Sequence, residues 1–479
     1  MMNHNTDRRH YPILQVLLLL TLLLLCAGCA NQNSQSAAAF SSTASVASAA
    51  AESVDTVPET LFTETDSFPF PFPGKLDMTQ TAPRELILTR EEALYDYDTM
   101  WQLLRENYPF FTAIREGTEI DPDEVQVRYR AKLEESCASG KIEGSELIDL
   151  FNDCLSEFQH IGHLFLCNPG IRDLFIRRFD GEQGKYGNLA AIVDNERSQR
   201  FYTVYKDQLS CLNRPATEET KEDVSENDRP QEVVADDYPL LLGYANGIPY
   251  VGLWSMDYES WTEEHRAELS AFLTENKDAP HLILDIRGNG GGATDTWMSV
   301  VALLLAQPAS AESLLGFQRG ALNLWIDEAF QNPNDCFDQV YTDDSWAEEL
   351  SGTPDPAMYE MDTIVKMIHS VHPAEDSVQF GGKIWLLVDE GVYSASEELA
   401  IFSKQTGFAT LVGTTTGGNG TGRNPHIIAL PWSGLLVYYA PEIGLNSDGT
   451  CNDIIGTAPD YPVDNSANAL EECLMLINR

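Results

Sequence analysis

Two strand-to-helix junctions in this 479-residue chain carry residues that could do chemistry. The first is Arg287-Gly288-Asn289-Gly290-Gly291-Gly292, which follows the apolar run His281–Ile286. A glycine run lets backbone N–H groups converge on an anion without interference from Cβ atoms. This one lacks the Lys and Ser/Thr of a phosphate-binding loop and is not spaced GxGxxG, so it reads equally as a tight turn. The second junction, Gly391-Val392-Tyr393-Ser394-Ala395-Ser396-Glu397, follows Lys383–Val388. A serine at a helix start, after a buried strand, is well placed as a nucleophile, because the helix N-terminus offers amides and partial positive charge to an oxyanion. The same letters also spell a capping box, Ser394-x-x-Glu397, whose serine only closes the helix. Two histidine pairs, His160/His163 and His369/His372, have an i,i+3 spacing that on a helix could bind zinc. No HExxH accompanies them, and neither a metal nor a cofactor is expected.

Taken together, the junctions resemble the C-terminal-processing and tricorn-type serine peptidases. Leu284-Asp285-Ile286-Arg287-Gly288-Asn289-Gly290-Gly291-Gly292 is similar to the family's DxRxNxGG signature, and Tyr393–Glu397 to its nucleophile helix. Val412–Gly418, Leu430-Pro431-Trp432-Ser433-Gly434-Leu435 and Ile455-Gly456-Thr457-Ala458-Pro459-Asp460 follow in family order. Tyr97–Trp101 and Asn107–Phe111 resemble its helical start. The resemblance implies an α/β core of the ClpP/crotonase type, a mixed sheet with helices, preceded by a small helical domain. It also implies peptide-bond hydrolysis.

One branch of the family uses a Lys about 25 residues after the nucleophile, and here that position is Asn419. Lys404 lies ten residues along the same helix, ~15 Å away, too far to stand in. The other branch, with tricorn and the retinoid-binding proteins, takes a His from the N-terminal part. Phe158-Gln159-His160-Ile161-Gly162-His163 occupies that place, with His163 the choice and His160 the alternative. That branch also carries a Glu three residues before the Gly of GxxPD; counting back from Gly456 gives Asp453, a shorter carboxylate that can do the same chemistry. The implied site is a Ser394–His163–Asp453 triad, with the amides of Ala395 and Gly291 binding the oxyanion. Glu397 either caps the helix, the favoured reading, or supports the site from behind. The alternative function is a catalytically silent lipoprotein that binds a peptide or apolar ligand in a pocket lined by Trp385, Tyr393 and Phe402.

Several elements must position these residues. Residues 88–165 read as a helical domain, with a Thr89/Glu92 capping box, an Asp121-Pro122 helix start, and a stripe of Leu147, Leu150, Phe151, Cys154 and Leu155. Residues 166–240 are a connecting region in which Phe201–Tyr205 could be a strand and 217–237 form an acidic loop, with nine acids against two bases. No peptide-binding module of the PDZ type is evident there. From 241 to 475 strands alternate with helices, which implies parallel pairing, and 313–380 reads as a helical insertion.

The N-terminus reads as an export signal over residues 1–28. Arg8 and Arg9 precede the apolar run Ile13–Leu25, which is short for a membrane span. Leu25-Cys26-Ala27-Gly28-Cys29 resembles a bacterial lipobox, implying lipidation of Cys29 and an anchor on the extracytoplasmic face of the membrane. Residues 29–87 read as a tether; 16 of the 24 residues from Ala30 to Ser53 are Ala or Ser, and Phe68–Pro73 alternates Phe and Pro. Seven cysteines remain after Cys26 and Cys29, too irregularly spaced for a disulfide framework, though one or two bridges are compatible with that compartment. The formal charge of −44 repels phosphate backbones and argues against nucleic acid. Expected partners are a peptide or unfolded segment, and the membrane through the lipid alone; the sequence leaves the oligomeric state open.

Overall fold

The computed structural model describes residues 86–179, 187–212, 239–257 and 260–479. The export signal, Cys29, the Phe-Pro segment and the acidic loop 217–237 lie outside these residues.

Helix α1 (Arg90–Asn107) starts at the expected capping box, Glu92 N donating to Thr89 Oγ1 and Thr89 N to Glu92 Oε2. Its buried face carries Leu94, Tyr97, Trp101 and Leu104 against α2 (Pro122–Ser136, capped by Asp121) and α3 (Gly144–Ser156). The aromatic residues form a core, with the Trp101 and Phe111 rings stacked at 5.7 Å. The chain then makes a two-residue strand, β1 (Phe165–Leu166), and further helices including α4 (Glu196–Val204). Phe201–Tyr205, expected as a strand, is instead the last turn of α4 with its C-cap, Tyr205. Asn195 caps that helix, and Phe201 and Tyr205, four apart, fall on one face with ring centroids 4.9 Å apart.

The core is a six-stranded sheet. A hairpin of β2 (Leu240–Ala245) and β3 (Ile248–Leu253) turns at Asn246-Gly247, both with positive φ, as a two-residue hairpin turn requires. Strand β3 pairs in parallel with β4 (His281–Asp285), whose chain continues into α5 (Thr294–Leu304). Strand β4 pairs in parallel with a later strand, Lys383–Val388.

Between them, the expected helical insertion 313–380 is built on strands instead. β5 (Ala309–Phe317) and β6 (Thr363–Val371) pair antiparallel along their whole length, flanked by Gln339–Tyr341 and Glu442–Leu445. Only short helical turns join them, one of them burying Trp346. β6 is buried over Thr363, Ile364 and Val365 and again at Val371, and it is rich in β-branched residues. His369 therefore lies on a strand, and the helical geometry assumed for a His369/His372 zinc pair does not exist.

After β7 (Lys383–Val388) comes α6 (Ala395–Thr406), then β8 (Thr410–Gly413) beside β7 and Tyr461–Pro462 at the sheet edge. One sheet face packs Leu282, Leu284 and Leu386 against Trp297, Leu399 and Phe402 of α5 and α6. The other packs Ile283, Trp385 and Leu387 against the C-terminal helix Ala469–Ile477. Trp385 and Phe402 are thus core residues on opposite faces and cannot line one pocket. A third sheet joins the two halves: β9 (His426–Ala429), β10 (Leu436–Tyr439) and β1, with Leu166 opposite Val437 and Phe165 opposite Tyr438. All seven cysteines among the described residues are free thiols. No helix among these residues is long and apolar enough to cross a membrane.

Candidate active site

The polar residues of the glycine-rich junction tie strand ends together. At the end of β4, buried Asp285 takes Arg287 Nη2 at 2.6 Å and the Tyr250 hydroxyl at 2.6 Å, while Arg287 Nη1 donates to the Ser466 carbonyl. Asp389, beyond β7, accepts from the amides of Gly288 and Gly391. Asn289 donates to the Leu253 carbonyl, and its own carbonyl accepts from Tyr393 N. So braced, Gly291 lies against the serine junction. A Cβ there would sit 2.6 Å from the Tyr393 carbonyl oxygen and 2.9 Å from Ala395 N, and its φ of +97° also excludes most side chains. Its N–H donates to Asn289 Oδ1 at 2.9 Å, so the amide expected to meet an oxyanion is engaged within the loop.

Ser394 precedes α6 with φ +58° and ψ −125°, and its side chain makes no capping bond. Its amide donates to the Gly418 carbonyl, and its Oγ lies 3.2 Å from His163 Nε2. The capping box suggested by Ser394-x-x-Glu397 is therefore absent. Glu397 instead points inward, where Oε1 accepts from Asn452 Nδ2 at 2.8 Å and Thr457 Oγ1 at 2.6 Å. Burial pushes its carboxyl up to about 7.

His163 comes from a turn whose backbone is left-handed at Gln159, His160, Gly162 and His163. Neighbours hold this turn tightly. Tyr108 Oη donates to the Ile161 carbonyl, Ala440 N to the Gly162 carbonyl, and a Cβ at Gly162 would lie 2.5 Å from the Phe110 ring. The His163 ring is 4.9 Å from that of Tyr393, and its amide donates to Asn419 Oδ1 at 3.2 Å. His160, the alternative, is exposed and contributes its carbonyl to Tyr393 Oη. Burial, with His160 adding, drives His163 down to about 3, so its ring is neutral at physiological pH. Seven described non-glycine residues have positive φ, and five of them (Gln159, His160, His163, Ser394, Asn419) lie in the three segments that form this site. Strain of this kind costs on the order of 1–3 kcal/mol per residue and persists only where the surroundings impose it.

Asp453 lies on α7 (Asn452–Ile455), which packs against the 161–163 turn. Burial, with Glu397 adding, pushes its carboxyl up to about 8, against the opposing pull of the Gly162 amide. The expected bond to the imidazole is not made, since His163 Nδ1 has no partner among the described residues. In the resting geometry Asp453 thus reaches the backbone beside the histidine and not its ring.

Two positions escaped the sequence reading. Asn419 drew attention only as a missing Lys. Asp96, fully buried, accepts from Trp432 N and Ser433 N, each at 2.7 Å, so the Leu430–Leu435 segment serves to dock the helical part on the core. Its signal was available: Asp96 stands on the apolar stripe of Ala93, Tyr97 and Met100.

Residues 247–463 match the profile of peptidase family S41. No curated protein matches the chain. A structure from Parabacteroides merdae ATCC 43184, described as a candidate peptidase, is 17% identical with a TM-score of 0.50, covering 82% of this chain and 98% of its own. Mature CPAF complexed with lactacystin is 12% identical with a TM-score of 0.49, covering 81% of this chain and 97% of its own. At these identities the likeness concerns the fold. The profile spans Gly291, Ser394 and Asp453 but stops short of His163, which the fold delivers to Ser394 through β1. The match to peptidase family S41 thus covers residues 247–463, with both strand-to-helix junctions, and leaves the helical part outside it.

Proposed function

We propose that the protein is an extracytoplasmic serine endopeptidase that hydrolyses peptides or unfolded segments, held at the membrane by a lipid on Cys29. Ser394 Oγ attacks the scissile carbonyl, and His163 Nε2 takes its proton and returns it to the leaving amine. The Ala395 amide, at the N-terminus of the nucleophile's helix, receives the oxyanion. The Gly291 N–H is the second donor once it shares its hydrogen with Asn289 Oδ1. Asp453 stabilises the imidazolium by turning toward Nδ1 as charge develops there.

The observation that carries this reading is the 3.2 Å approach of His163 Nε2 to Ser394 Oγ across two strained backbones. The unpartnered Nδ1 favours the second reading, a silent binding protein, because an unoriented imidazole is a poor base. A fluorophosphonate probe separates them. Labelling that disappears in Ser394→Ala and slows in His163→Ala supports the peptidase; equal or absent labelling in wild type and Ser394→Ala supports the binding protein. Extraction of the intact protein into detergent, with loss of membrane association in Cys29→Ala, tests the anchor.

A further inference from the structure

The loop Gly417-Gly418-Asn419-Gly420 touches both members of the Ser–His pair. The Gly418 carbonyl accepts from Ser394 N at 3.2 Å, and the next residue's Oδ1 accepts at 3.2 Å from His163 N, an amide that it shares with the His160 carbonyl at 2.9 Å, so tying the 160–163 turn to the loop. The loop is itself fixed from behind, Gly420 N donating to Asn452 Oδ1 at 3.0 Å and Gly417 N to the Val392 carbonyl at 2.8 Å. It has no slack: a Cβ on Gly418 would lie 2.2 Å from the Asn452 carbonyl oxygen. Asn419 is buried and left-handed at φ +62°, a conformation that Asn tolerates better than most residues. The His163 backbone that it holds is left-handed too, and the ring's Nδ1 has no partner to orient it.

We propose that Asn419 is the positioning residue for His163: with the Gly418 carbonyl it forms a two-pronged clamp that fixes the separation of base and nucleophile through their backbones. This rests on the serine-peptidase reading for its consequence, though not for the bond itself. In many hydrolases a carboxylate aims the histidine through its ring. Here the turn is aimed instead, by Asn419 at the His163 amide.

The test uses the full chain with two substitutions. Asn419→Gly removes the acceptor while tolerating the positive φ, so backbone strain is not confounded with loss of the bond. Asn419→Asp keeps an acceptor oxygen at the same place. Fluorophosphonate labelling should fall on the order of 10–100-fold in Asn419→Gly, as expected for a misplaced reacting group. It should stay within ~5-fold of wild type in Asn419→Asp, and KM for a peptide substrate should change little in either. The His163 amide keeps its bond to the His160 carbonyl, so its hydrogen exchange should quicken in Asn419→Gly through loosening of the whole turn and remain slow in Asn419→Asp. Native labelling in Asn419→Gly, or equal impairment of both variants at equal thermal stability, would overturn the clamp. If the wild-type protein does not label at all, the peptidase reading fails, and exchange at the His163 amide still decides whether Asn419 holds it.

Discussion

Replacing Asp453 by Asn should flatten the pH dependence of the Ser394 reaction. Burial, reinforced by Glu397, pushes the Asp453 carboxyl up to about 8. Two pH units below that value roughly 1% of it is ionised, and one unit above roughly 90%. If the imidazolium needs this carboxylate, fluorophosphonate labelling of the wild-type protein rises ~10-fold per unit from pH 6 toward 8 and levels off above. His163, held near 3, stays neutral throughout and contributes no limb of its own. The Asn variant cannot ionise, so it should run level with wild type near pH 6 and lag by on the order of 100-fold at pH 9. Because Asp453 and Glu397 interact, the midpoint belongs to the pair. Removing the neighbouring negative charge with Glu397→Gln should therefore move the limb to lower pH. A wild-type profile flat from pH 6 to 9, or an Asn variant that tracks wild type at every pH, would refute a catalytic role for Asp453.

Three further outcomes are expected. Gly291→Ala puts a methyl 2.6 Å from the Tyr393 carbonyl oxygen in a backbone at φ +97°, so labelling of Ser394 should drop ~100-fold or more while urea unfolding remains cooperative. Asp285→Ala strands Arg287 in the core without its carboxylate and should cost ~3–5 kcal/mol in urea titrations. Glu398, whose carboxyl accepts from Trp297 Nε1 and Thr294 Oγ1, is pushed up by burial to about 7 from 4.5. The folded state therefore holds this proton at pH values where the unfolded chain has lost it. That stabilisation is full below about 4.5 and gone above about 7, so Glu398→Gln should remove up to ~3 kcal/mol of the stability difference between pH 4 and pH 8.

The central sheet could be read because its strands are short apolar runs ending in glycine-rich turns, and the pattern around Ser394 and Gly291 could be read because loops at strand ends gather functional groups. His163 was legible only through the family's habit. The segment 159–163 has no periodicity, and what brings it to Ser394 is a two-residue strand, too short to announce itself. Glu397 was misread because a capping box and a buried acid one turn into a helix look identical as letters; which way the side chain turns depends on Asn452 and Thr457, far along the chain. The strands of residues 309–371 are not legible because the pairing between β5 and β6 spans a gap of 45 residues that local propensity cannot encode. Asn419 shows the converse. Its failure to be a Lys was noticed, while its carbonyl oxygen, the part that matters here, carries no motif.

The pairing of β1 with β10 means that the segment matching the family profile does not hold the whole Ser394–His163 pair. A fragment cut to residues 247–463 would hold a serine without its histidine, and the amides of Trp432 and Ser433 would lose Asp96. If Ser394 is the nucleophile proposed above, an extended ligand that competed for the Val437–Tyr438 edge would draw His163 away from it and slow its reaction without touching it.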